Sequence, residues 1–291
     1  MRWSWHQYFL RISLNRRGPL HGIHPDRGYH PDPYMRLVTY DREGARRLGA
    51  WVENSVVDLP DAVGHPVFPA TMEALVARHG GTTLEAARDA LAYPDVVGEF
   101  SVPRPRLLAP LVPSFNSDRP RILGPGQRFS LPSLSGALGL LPQVACIVGR
   151  PGRRLTAREA LHVVFGYTLM ARWSILEGRR GRAIAIALGP AVVTADELDP
   201  RGLEVAARVD GGVRWRGVLP SRPAAIAERL ARASATRDLR PGELFAITPG
   251  VPSGQSSFLI TPPAVVELEA TSIGVLRNRI SRRSGTASIQ G

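Results

Sequence analysis

Residues 143–173 contain two apolar, β-rich runs, QVACIVG and YTLMARW, separated by the segment TAREALHVVFG. In that middle segment Thr156 stands three residues before Glu159, the arrangement in which each side chain satisfies an otherwise unpaired N–H at a helix start. The spacing predicts strand, capped helix, strand, so the centre of the chain must be built around a sheet. The second run ends on a charge: Arg172 follows Leu169, Met170 and Ala171, precedes Trp173, and leads into GRRGR.

The flanking segments add more strand than helix. MRLVTY, the charged turn DREGARR and LGAWVENSVVDL read as strands joined by tight turns. TMEALVARH and TLEAARDALAY have apolar residues at helical spacing and are separated by Gly80 and Gly81. VPRPRLLAPLVP is punctuated by proline, as a linker or edge segment would be, and FNSDRPRILGPGQRFSLPSLSGALG has many breakers and reads as loops. Beyond the centre, GPAVVTADEL, GLEVAARVDGGVRWRG and AVVELEATSIGVLRNRI predict strands, and PAAIAERLARAS one long amphipathic helix. The class is α+β, dominated by strands. The predicted organisation is an N-terminal extension over 1–34, a small domain over 35–105, a larger one over 106–281, and a basic tail over 282–291.

Charge narrows the function. The chain has 37 basic against 25 acidic residues, a net charge of +12, and every basic residue is an arginine. Lysine Schiff bases and lysine general bases are therefore excluded, since guanidinium stays protonated at any working pH. The arginines are scattered and carry no interleaved aromatic platform, which argues against a nucleic-acid partner. The lone Cys146 has no disulfide partner and sits among Ala145, Ile147 and Val148, which predicts an inert core thiol and a cytoplasmic protein. No apolar run approaches the roughly 18 residues of a membrane span. His6, His21, His24 and His30 lie in an N-terminal segment without helical or strand period, so a disordered arm is expected there rather than a metal site. Met35 reads like a natural start, with the preceding residues as an upstream extension.

Six segments, MRLVTYDREGARRLGAWVENSVVDL, LLAPL, ACIVGRPGRRLTAREALHVVFGYTLMARWS, LGPAVVTADEL, RPGELF and VVELEATSIGVLRNRI, resemble the fumarylacetoacetate hydrolase family in order and spacing. The resemblance covers most of residues 35–281 and implies a mixed β-sandwich roll with a small N-terminal β-domain, a pocket at its mouth, and a homodimer. In a typical member, Glu-x-Glu before an apolar run ending in Ile-Gly, together with an Asp in Asn-Asp-x-Ser-Ala-Arg-Asp, holds Mg²⁺ or Mn²⁺. The metal polarises a 1,3-dicarbonyl or 2-oxo acid.

Aligned on Ile147, Val148 and Gly149, the two Glu positions of that resemblance fall on Leu141 and Gln143. Aligned on the GYT and WS segments, the Asp falls on Arg172, the preceding Asn on Ala171, and the later Arg and Asp on Leu176 and Glu177; the family's lysine falls near Arg182. No His-x-x-Glu pair occurs over residues 107–135, and His162 reads as a helix-face or core histidine. An isobutyl group, an amide and a guanidinium cannot replace anionic ligands, so no metal and no other cofactor is expected. Arg172 would hold a carboxylate or enolate oxygen, or else reach solvent or pair with Glu177. Arg172, Glu177 and Arg182 are the candidate catalytic residues, and Leu141, Gln143, Trp173, Ser174 and Thr248 the candidate substrate contacts. The expected protein is a metal-independent cyclase, isomerase or C–C lyase for a small oxo- or enol-type substrate, in specialised-metabolite biosynthesis. The alternatives are an inactive homologue serving as a binding or partner subunit, and a metal-dependent hydrolase or decarboxylase with ligands supplied elsewhere.

Overall fold

A computed structural model describes residues 34–78, 81–112, 120–131, 136–177, 180–221, 224–251 and 254–282. The histidine-bearing arm and the basic tail lie outside them. The chain begins with β1 (Arg36–Arg42), β2 (Ala45–Val52) and β3 (Ser55–Asp58), then the helices α1 (Leu59–Val63), α2 (Met72–Arg78), α3 (Gly81–Leu91) and α4 (Pro94–Glu99). Short strands β4 (Ser101–Pro103), β5 (Leu107–Leu108), β6 (Arg121–Leu123) and β7 (Arg128–Leu131) precede the long ones, β8 (Ala137–Val148), β9 (Val164–Glu177) and β10 (Arg180–Thr194), with α5 (Ala157–Leu161) between β8 and β9. The hairpin β11 (Glu204–Val209) and β12 (Gly212–Val218), the helix α6 (Ala224–Thr236), and β13 (Leu244–Ile247), β14 (Phe258–Ile260), β15 (Ala264–Ala270) and β16 (Gly274–Arg282) complete it.

Two sheets result. One runs β13-β8-β9-β10-β1-β2-β3-β4, with β14, β5 and β6 attached to β8, β1 and β10; the other runs β12-β11-β15-β16-β7. Their facing surfaces form the main core, where Val144, Tyr167, Leu169 and Trp173 of the first sheet share one cluster with Val205, Val266, Leu276 and Ile280 of the second. This is the mixed sandwich expected of the sequence. The N-terminal strands are continuous with it: Leu37 of β1 pairs with Val192 of β10, and β2, β3 and β4 follow β1 in the same sheet.

Local chemistry accounts for the elements. Thr156 and Glu159 form the predicted capping box, with Glu159 Oε2 accepting from Thr156 N–H at 2.8 Å. The helix is shorter than the sequence suggests. It stops at Leu161, and β9 begins at Val164, because the β-branched pair Val163 and Val164 favours extended backbone. Gly166 is required two residues later: a Cβ there would lie 2.3 Å from the Val193 carbonyl oxygen. Helix α6 buries Ile226, Ala227, Leu230 and Ser234 along one side, the i, i+4, i+8 spacing of an amphipathic helix. The loops read over 115–139 instead contain β6 and β7, whose pairings with β10 and β16 are parallel and distant in sequence. Among the described residues no helix is long and apolar enough to cross a membrane. Cys146 is fully buried in the main core, and burial pushes its thiol up to about 12, in keeping with inert packing.

A buried ionic knot fastens the meander to α1. Asp58 caps the helix by accepting from Asp61 N–H at 3.0 Å, and it also accepts from Arg47 Nε at 2.8 Å, Arg47 Nη2 at 3.0 Å, Arg42 Nη1 at 2.7 Å and the Tyr40 hydroxyl. Burial alone would raise the Asp58 pKa, but the hydrogen bonds from Arg47 and Tyr40 hold it below the usual carboxylate range.

Candidate functional site

The register of the long strands decides which side chains can meet. Directly opposed residues in antiparallel strands share a face, and three rows cross β8, β9 and β10 on one face: Gly139, Ser174 and Ala183; Leu141, Arg172 and Ile186; Gln143, Met170 and Leu188. Ala145 and Thr168 form the next row on β8 and β9, with Ala246 of β13 opposite Ala145. The positions aligned with the metal ligands, Leu141, Gln143 and Arg172, are thus assembled on one surface as a direct pair and a diagonal neighbour. This surface points away from the main core. Its floor is a separate small apolar cluster of Ala109, Ala145, Met170, Ile186 and Leu188.

Polarity on this face is sparse but specific. Gln143 is only 5% exposed, and its Nε2 donates to the Thr248 hydroxyl at 2.9 Å. Its Oε1 and the hydroxyl of Thr168 are buried without a hydrogen-bond partner among the described residues. Buried polar groups almost always find partners, so two lone ones on neighbouring rows mark a place for water or a ligand. Arg172 is exposed, and no hydrogen bond or ion pair ties it to another described residue.

The structure redistributes the other candidates. Thr248 and Ser174 keep to this face. Trp173 does not: it is fully buried on the opposite side, in the main core, with its ring 6.5 Å from that of Phe129, because neighbouring residues of a strand alternate sides. Arg182 is also on the wrong side. It is paired with Ile175, a core residue, and a register shift between Ala183 and Ala185 intervenes before Ile186 meets Arg172. The backbone of Glu177 stands five residues beyond Arg172 on β9, about 16 Å along the strand; its side chain lies outside the described residues. His162 is exposed at the end of α5, ten positions before Arg172. Thr168 was missed in the sequence, although its i, i+2, i+4 relation to Met170 and Arg172 marks it as a residue of the same face.

A hard divalent cation does not fit these residues. Of the aligned positions, one is a hydrocarbon, one an amide whose NH₂ is committed to Thr248, and one a cation. Among the described residues no three His, Cys, Asp or Glu side chains form a group that could hold a metal ion. Two cavities occur elsewhere, one of about 540 Å³ bordered by Tyr167 and residues 195–201, the other of about 260 Å³ on the second sheet, and neither includes Leu141, Gln143 or Arg172.

Comparison with known proteins bears on the same segments. A family model described as fumarylacetoacetate (FAA) hydrolase C-terminal matches residues 85–281. Over 302 aligned residues the chain is 27% identical to a mitochondrial oxaloacetate tautomerase of Bos taurus, covering 87% of this chain and 93% of the relative. It is 30% identical over 146 residues to an uncharacterised protein of Pyrococcus horikoshii, which covers 46% of this chain and 63% of that one. The fold is similar to the crystal structure of maleylpyruvate hydrolase from Sphingobium sp. SYK-6 in complex with manganese(II) ion and pyruvate, with a TM-score of 0.65, 20% identity, and coverage of 86% of this chain and 100% of that one.

Proposed function

We propose that this chain, which belongs to the fumarylacetoacetate hydrolase family, is an enzyme that binds a small oxo or enol acid on the β8–β9–β10 face and acts on it without a divalent metal. The observation that carries the reading is the Leu141–Arg172 pair. A free guanidinium stands where the resemblance puts a metal-binding carboxylate, beside a buried amide oxygen and hydroxyl that lack partners. The relatives act on, or are bound to, small oxo acids: oxaloacetate in the bovine tautomerase, pyruvate in the Sphingobium structure.

The chemistry assigned to each residue follows from its type. Arg172 offers paired donors to a carboxylate or to the oxygen on which enolate charge develops. Gln143 Oε1 accepts from a substrate hydroxyl, and Thr168 either donates or accepts. Leu141, Met170, Ile186 and Leu188 supply an apolar wall, which lowers the local dielectric and strengthens the guanidinium's attraction for an anion. The one carboxylate in the sequences of β8, β9, β10 and β13, Glu177, stands an odd number of positions from Arg172 and about 16 Å along the strand, so no role at this face is assigned to it. Loss of charged ligands in favour of hydrocarbon fits an isomerase or lyase step better than hydrolysis, since a greasy surface disfavours an attacking water.

The scarcity of carboxylates favours a second reading, a homologue that binds such an acid without turning it over. Incubating chelator-treated protein with oxaloacetate in D₂O and following C3 by proton NMR separates the two. Enzymatic enolisation predicts deuterium incorporation above the solvent rate in the presence of EDTA, and a fall of at least about 100-fold in Arg172→Leu. Saturable, Arg172-dependent binding without exchange selects the second reading. Exchange that appears only on adding Mn²⁺, or neither binding nor exchange, overturns the proposal.

A further inference from the structure

The cavity beside Tyr167 belongs to neither the face just described nor its chemistry. Tyr167 precedes Thr168 on β9 and is packed with the main core, so it looks out on the opposite side of the sheet. Its neighbours come from separate parts of the chain: Leu198 from the loop after β10, Leu219 from the loop after β12, Ile226 from α6 and Ile247 from β13. The volume, about 540 Å³, is that of a site for a small organic molecule.

Polar groups around the cavity are nearly all committed elsewhere. Arg88 of α3 reaches Asp196 at 2.7 Å and Glu197 at 2.8 Å, and Glu197 also accepts from Met35 N–H at 2.7 Å. These contacts anchor the 195–198 loop from outside. Asp199 is held by Arg201, whose guanidinium keeps the carboxyl below its usual range and therefore ionised. The Tyr167 hydroxyl has no such commitment: it makes no hydrogen bond with any described residue. Burial holds the phenol in its neutral, donating form, and the Asp199 charge acts in the same direction.

We infer that this cavity is a second binding site, taking a neutral, largely apolar small molecule whose carbonyl or ether oxygen accepts a hydrogen bond from Tyr167. Anions are disfavoured, because among the described residues three carboxylates face two guanidinium groups here. That preference is opposite to the one expected of the Arg172 face, so the two sites are told apart by charge as well as by position.

Three probes of one shape test it: cyclohexanone, cyclohexanecarboxylate and cyclohexylamine, each titrated into the intact protein with ligand-observed NMR. Cyclohexanone is expected to saturate, the amine more weakly, and the carboxylate not at this site. Tyr167→Phe keeps the apolar shape and is expected to weaken cyclohexanone about five-fold by removing one hydrogen bond. Ile226→Trp, which fills the cavity from the helix side, is expected to abolish binding, with circular dichroism confirming that both variants fold. Cyclohexanone that never saturates, that binds Ile226→Trp unchanged, or that binds more weakly than the carboxylate at this cavity overturns the inference. None of these results depends on oxo-acid binding at Arg172.

Discussion

The triple variant Leu141→Glu/Gln143→Glu/Arg172→Asp is expected to bind Mn²⁺ at least about 100-fold more tightly than the native chain, a gain of about 2.7 kcal/mol. Three carboxylates would then occupy a direct cross-strand pair and its diagonal neighbour, close enough to share one cation, and oxygen donors of this kind suit Mn²⁺ and Mg²⁺. A linked effect on stability makes the experiment stricter. Without metal, like charges brought together beside buried Met170 and Ile186 repel and are poorly solvated, so the melting temperature should fall. Saturating Mn²⁺ should restore much of the loss, since a ligand that binds only the folded state stabilises it by mass action. A folded variant that gains no metal affinity would show that the three positions do not converge, and the alignment of this face with the family's metal site would fail with it.

Asp58→Ala is expected to cost about 3–5 kcal/mol, measured as the shift in urea midpoint at pH 7, the range found when one partner of a buried ion pair is removed. The loss is large because Asp58 is nearly fully buried and accepts from two arginines, a tyrosine and the first turn of α1 at once. Arg42 is half-exposed and contributes little; the cost comes from leaving the Tyr40 hydroxyl without its acceptor and Arg47 with only the half-exposed Asp61 carboxylate. The sign with pH is fixed by the depressed pKa in the folded state. The contribution is complete above the unfolded value, about 3.9, and fades as pH falls below it through the folded value. Asp58→Asn should therefore lose stability at pH 7 and show a flatter acid limb than the native chain. An equally steep acid limb in Asp58→Asn would place the acid sensitivity elsewhere.

Much of this molecule is legible in its sequence where a local rule suffices. The capping box at Thr156 and the β-rich runs around Cys146 and Leu169 each announce an element by themselves, and six such segments in order are enough for the family. What is not legible depends on pairing. Strands β6 and β7 have three and four residues, too few to display a period, and acquire partners only through parallel contacts with β10 and β16. Arg182 lies near a family position when counted along the chain, but the register across the hairpin pairs it with Ile175 and so with the core side. Trp173 adjoins Arg172 in sequence and is separated from it by the thickness of the sheet. The same alternation puts Leu141 and Gln143 on one face of β8, and Arg172 joins them only through the register of β9 against β8. The cavity over Tyr167 has no sequence signature, because its walls come from four segments spread over residues 161–247.

Mn²⁺ titration of the native chain, by calorimetry and by electron paramagnetic resonance of the free ion, tests the central claim most directly. A face built from Leu141, Gln143 and Arg172 predicts no stoichiometric binding at concentrations up to the millimolar range. Binding of one Mn²⁺ per chain with a Kd on the order of 1 µM, lost on Gln143→Leu, would contradict it.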